Sequence, residues 1–237
     1  MNKRKILMLA VSVCMIAILA VGGTLAYFTD NESANNVFVA GGIDITLKEN
    51  FDKETAGELM PATGSAQNNT LKNGVKKEVT VTNNKSDAYV RVQIAIPSVL
   101  DNGDPSFDAG KNVLHFNYAA DSIGDGKWDW SKTSGTPYEG DWNYYETKID
   151  GIDYNVYVVT YESILKKGET TENAIHQMYL DSKVTMADIE KINNVLGTNW
   201  SIKVVAEGVQ AEGFADAYTA LNSAFGVPGT YTVAWPN

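Results

Sequence analysis

The chain has 237 residues, 29 acidic against 19 basic side chains and a formal charge of −10. An acidic body of this kind lacks the basic face that nucleic acid or an anionic membrane surface would need, so neither is an expected partner. A single cysteine, Cys14, rules out a disulfide scaffold, and the length suffices for one sizeable hydrophobic core.

The chain opens with Lys3, Arg4 and Lys5, followed by an almost uncharged run over residues 6–21 and the small residues of Thr24-Leu25-Ala26. That order predicts a secretory signal peptide over residues 1–26, cut between Ala26 and Tyr27, with membrane contact only before cleavage. The alternative is a retained anchor, since residues 6–23 are about long enough to span a bilayer. Cys14 lies inside the apolar run behind Val13, so it reads as a small hydrophobe and not as a lipidation site. Processing would remove three positive charges and the only cysteine, leaving a more acidic chain.

Beyond the signal, residues 27–39 form an extension with Phe28, Val37, Phe38 and Val39 as apolar anchors. Period-two alternation then predicts strands. It is seen at Ile43, Ile45 and Leu47, and at Val79 and Val81. Residues 89–96 show it most clearly, with Val90, Val92, Ile94 and Ile96 on one face and Tyr89, Arg91, Gln93 and Ala95 on the other. Asn83-Asn84-Lys85-Ser86-Asp87 supplies a turn between two of these strands. Residues 152–161 and 200–207 add two more, the latter with Trp200, Ile202, Val204 and Ala206 on one face.

Two helices are predicted. Thr185 caps the first with Asp188 as its capping-box partner, Met186, Ile189, Ile192 and Leu196 form one side, and Gly197 stops it. Phe214, Tyr218, Leu221 and Phe225 mark the second, which ends at Gly226-Val227-Pro228-Gly229 and is expected to lie across one end or face of the sheets. Residues 101–141, rich in Gly, Asp, Ser and aromatics, read as a loop-rich insertion. The sum is a mainly β fold, an antiparallel β-sandwich with a few short peripheral helices, forming one domain over residues 40–237.

Catalytic signals are sparse. His115 and His176 are the only histidines, and no His-Glu-x-x-His helix brings ligands and base to one zinc. No Gly-x-Ser-x-Gly elbow and no phosphate-cradling loop is present. No catalytic residue, resident metal or cofactor is therefore expected. Met60-Pro61-Ala62-Thr63-Gly64 resembles a sortase signal but has no C-terminal apolar tail behind it, so it reads as a proline turn. Asp121, Asp125, Gly126 and Asp129 fit part of an EF-hand-like calcium loop, which fails at Ile123 and Lys132. An irregular calcium site on these aspartates, or on Asp101, Asp104 and Asp108, is the alternative to solvated turns. Trp128, Trp130 and Trp142, with Tyr138, Tyr144 and Tyr145, could stack on sugar rings of a glycan, or cover a core edge or a subunit interface.

The N-terminal motif supports a family reading. Gly22-Gly23-Thr24-Leu25-Ala26-Tyr27-Phe28-Thr29-Asp30 resembles the processing region of proteins cut by the SipW type of signal peptidase. Asn36-Val37-Phe38-Val39-Ala40-Gly41, with Ile43-Asp44-Ile45, resembles the start of the mature domain in the TasA and camelysin family. Val79-Thr80-Val81-Thr82-Asn83, Ala88-Tyr89-Val90-Arg91-Val92 and the stretch over residues 205–214 are similar to further parts of it. The resemblance implies a jelly-roll-like sandwich secreted by Gram-positive bacteria to the extracellular matrix or cell surface. It also implies polymerisation into biofilm matrix fibres, with the chain itself, the signal peptidase and an accessory matrix protein as partners. Some relatives carry a metalloprotease label, for which this sequence offers no zinc motif.

In the fibre reading, the extension over residues 27–39 adds as a donor strand to an open edge of the next subunit, a head-to-tail contact that need not close. The alternative is that these residues are a disordered tail or fold back onto their own domain. A secreted glycan- or surface-binding module is the competing function.

Overall fold

A computed structural model describes residues 37–40, 42–51, 61–63, 72–101, 114–117, 127–130, 143–197 and 201–236. The expected signal peptide, its cleavage site at Ala26 and Tyr27, the anchor Phe28, and Asp121, Asp125 and Trp142 lie outside the described residues. None of the described helices is long and apolar enough to cross a membrane.

The protein is a β-sandwich. The larger sheet has the order β1 (Val37–Ala40), β10 (Lys203–Gln210), β4 (Ala88–Pro97), β8 (Ile152–Leu165) and β6 (Trp128–Asp129), with β7 (Tyr144–Ile149) also paired to β8. The smaller sheet runs β2 (Ile45–Phe51), β3 (Val75–Asn83), β9 (Gln177–Leu180) and β5 (Leu114–Asn117). All these pairings are antiparallel except β1 with β10, which is parallel. The strands expected at 43–48, 78–82, 89–96 and 152–161 are β2, β3, β4 and part of β8. The last expected strand begins later than predicted, at Lys203.

Between the sheets lies the main core. Ile45 and Leu47 of β2 and Val75, Val79 and Val81 of β3 meet Val90, Val92, Ile94 and Ile96 of β4, Val159 of β8 and Val204 of β10. The outer face of the smaller sheet is solvated, as alternation predicts: Lys48 and Lys76 are exposed and Thr80 and Thr82 are half-buried. The larger sheet differs. Every residue of β4 is buried, including Tyr89, Arg91, Gln93 and Ala95, which alternation alone would place in water. The C-terminal segment covers that second face, so the larger sheet is the middle layer of three.

The helix Met186–Leu196 keeps both arms of its capping box at Thr185 and Asp188 and ends at Gly197, buries Ile192 and Leu196, and leaves Met186 exposed. The C-terminal helix runs Ala217–Phe225 and starts after Phe214, because Asp216 caps it by accepting from the Thr219 amide at 2.8 Å. That bond, with a second from the Thr219 hydroxyl, holds the Asp216 carboxyl below its ordinary value of 3.8. The cap's contribution is thus full above the ordinary carboxylate range and fades as the pH falls through the lowered folded value. Asp216→Ala should cost about 1 kcal/mol at neutral pH. In thermal melts the deficit should shrink as the pH falls below the ordinary carboxylate range, the direction fixed by that lowered value.

Candidate functional site

The site of interest is one margin of the larger sheet and the polar cluster beside it. Val37-Phe38-Val39 is rich in β-branched and aromatic residues, which suits a strand. It pairs in parallel with β10 in the register Val37↔Ala206, Phe38↔Glu207, Val39↔Gly208 and Ala40↔Val209. Among the described residues β10 is its only sheet neighbour, so β1 is an edge strand. The Val37 side chain packs against the main core. From β1 the chain crosses to the smaller sheet, and Ile43 and Ile45 settle over Gly208. A Cβ at Gly208 would stand 2.8 Å from Ile45 Cδ1 and 2.9 Å from Ile43 Cδ1, so any side chain there would oblige the ends of the two isoleucines to shift.

Next to this margin, Arg91 of β4 and Glu207 of β10 form an ion pair whose side chains are 3% and 2% exposed. The remaining Arg91 donors reach the C-terminal segment: Nη1 donates to Asn222 Oδ1 at 2.8 Å, and Nη2 donates to the Gly226 carbonyl at 3.1 Å and the Tyr231 hydroxyl at 2.9 Å. The Tyr231 hydroxyl donates to Glu207 Oε1, which also accepts from Gln93 Nε2 at 3.0 Å. Tyr145 donates to Gln93 Oε1 at 2.7 Å. The Arg91 guanidinium sits 5.9 Å from the centroid of the Phe225 ring. Burial pushes both hydroxyls well above their ordinary value, helped at Tyr145 by the Glu207 charge and at Tyr231 by its hydrogen bond to Glu207, so both stay protonated donors at any physiological pH. Apolar packing flanks the cluster on both sides. Tyr89 and Val209 meet Ala217, Ala220 and Leu221, while Trp235 packs against the group of Ala95, Ile149, Tyr154 and Val156.

Other predicted sites resolve differently. Trp128 and Trp130 are 5% and 2% exposed and belong to the main core. Trp128 donates to the Glu172 carbonyl at 2.8 Å and meets Tyr161 edge-on at 5.0 Å, and Trp130 packs on Tyr157 at 5.8 Å. A glycan platform needs an exposed ring face, so these two tryptophans do not provide one. Two strands, β5 and β6, lie inside the stretch expected to be loop-rich. Asp129, a calcium candidate, is buried in β6 and accepts the Tyr218 hydroxyl. Asp101 accepts from Asn155 Nδ2 at 2.8 Å and from Tyr157 at 2.7 Å, both through one carboxylate oxygen, and Asp104 and Asp108 lie outside the described residues.

Among the described residues no three metal-ligating side chains converge. His115 lies in β5 opposite Tyr179, and His176 precedes β9 with its carbonyl accepting from the Lys77 amide at 3.0 Å. Pro61-Ala62-Thr63 is knit into the smaller sheet: the Ala62 amide donates to the Leu180 carbonyl at 2.9 Å, Thr63 pairs with Lys72, and Ala62 is 3% exposed. That is bound backbone, unlike the accessible peptide a sortase requires.

Sequence reasoning missed the lock around Arg91 and Glu207 and the hairpin of β7 and β8. The hairpin had a signal, since Asp150-Gly151 turns with φ of 50° and 86°, the positive values an Asp-Gly type I′ turn needs.

Residues 1–88, the part that carries β1, β2 and β3, match the family described as camelysin metallo-endopeptidase. No curated protein matches the chain.

Proposed function

We propose that this chain, of the TasA and camelysin family by its first 88 residues, is a secreted structural subunit of extracellular biofilm matrix fibres. In this reading a SipW-type signal peptidase frees residue 27, and residues 27–39 then add as a donor strand to the next subunit. The carrying observation is that the end of this extension is already an edge strand. Val37–Ala40 is held to β10 by four residue pairs and by no second strand among the described residues.

Exchange between copies is then nearly balanced in free energy. A β1 that leaves its own β10 exposes an edge and a core margin that the same strand of a neighbour fills with the same hydrogen bonds. Because each copy gives at one place and receives at another, the contact is heterologous and can propagate as a filament. The burial of Trp128 and Trp130 takes away support for the glycan-binding alternative. The family description speaks of a protease, but no step of this reading runs through a metal.

The test is negative-stain electron microscopy of the processed protein, its N-terminus confirmed by mass spectrometry, beside a form lacking residues 27–39. Fibres are expected from the first and none from the second. Undiminished fibres from the shortened form would sink the reading.

A further inference from the structure

β1 and the C-terminal segment converge on one strand, β10. Glu207 of β10 stands opposite Phe38 of β1 in one register and opposite Arg91 of β4 in the other. The backbone over residues 226–236 joins no sheet. Instead it is held mainly by side chains: Tyr231 in the Arg91, Gln93 and Glu207 cluster, Trp235 against Tyr154 and Val156, and the Pro236 carbonyl accepting from Lys203 Nζ. Gly226 and Gly229 have φ of 96° and 83°, and a Cβ at Gly229 would lie 3.1 Å from Tyr145 Cγ. The segment thus turns at two glycines and lies flat on Tyr145.

We infer that residues 226–236 are a strap that gates the N-terminal edge strand: while the strap is seated β10 is a firm ledge for β1, and when it lifts β1 is released before the rest of the sandwich opens. Lifting the strap admits water to Arg91 and Glu207, and a hydrated ion pair contributes little to holding its strands together. β4 keeps β8 on its other side and the main core beneath it. Among the described residues β1 pairs with β10 alone, so the loss falls on a strand with no second neighbour to hold it. Openings of this local kind are ordinary in folded domains. The bearing of the gate on assembly rests on strand donation as read above. Hydrogen exchange on the monomer reads the gate alone, so the two can fail separately.

The experiment is native-state amide hydrogen exchange on the monomeric protein and its Tyr231→Phe variant, which keeps the ring and removes the hydroxyl's bonds. Those amides of residues 37–40 that bond to β10 should exchange about tenfold or more faster in the variant, since hydrogen bonds to both charges of the pair are lost. Amides of residues 156–159 in β8 should stay at the wild-type rate. In wild-type protein at low denaturant, the amides of Thr230, which donates to the Val227 carbonyl within the strap, and of residues 37–40 should open together, below global unfolding. Wild-type rates at 37–40 in Tyr231→Phe would overturn the proposal. If the variant fails to fold, the wild-type series decides: opening of 37–40 only together with β8 would overturn it equally.

Discussion

Glu207→Ala should destabilise the domain by about 3–5 kcal/mol, the usual consequence of stranding one member of a buried ion pair. Set against a typical domain stability of about 5–15 kcal/mol, that is a large share of the total. Arg91 keeps three neutral acceptors in Asn222, Gly226 and Tyr231, so its N–H groups stay largely satisfied. The missing element is the counter-charge, in a place where both side chains are almost fully excluded from water. Tyr231 and Gln93 also lose the carboxylate they donate to.

Removing both charges, as in Arg91→Met with Glu207→Leu, should recover part of the loss, because two buried apolar groups no longer need each other. Equilibrium urea unfolding reads both variants. A loss below about 1 kcal/mol in Glu207→Ala would mean that water screens the pair as it does at a surface.

This lock shows where sequence reasoning stops. The apolar face of β4 is legible because Val90, Val92, Ile94 and Ile96 alternate with the period of a strand. Arg91 and Gln93 on the other face carry the same signature whether they meet water or a buried partner. What decides between the two is a cover that begins at Asp216, at the far end of the chain. β1 is hidden for a similar reason, since its only described partner is β10, likewise remote in sequence. The helix Met186–Leu196 was readable to its ends because its signals are local: the capping box at Thr185 and the stop at Gly197. Trp128 and Trp130 misled because a cluster of aromatics has one composition for a sugar platform and for a core. β6 and β9, of two and four residues, are too short to show any period.

The second large effect is on assembly. Val37 and Ala206 are in register and both meet the main core. Adjacent strands lie about 4.8 Å apart, inside the roughly 4.4–6.8 Å between Cα atoms that a disulfide accepts. Val37→Cys with Ala206→Cys would therefore staple β1 to its own β10. Cys14, the chain's only native cysteine, falls in the expected signal peptide, so the processed protein would carry no competing thiol. The staple leaves the fold and the ladder of β1 in place and forbids only their exchange between copies.

Electron microscopy of the stapled protein, oxidised and then reduced, decides whether fibres need β1 to pass between copies. Monomers without fibres are expected while the bond is intact, and fibres at the wild-type level after a thiol reductant breaks it. Fibres from fully oxidised, internally stapled protein would contradict that need, since they would be built without moving β1 from the chain that owns it.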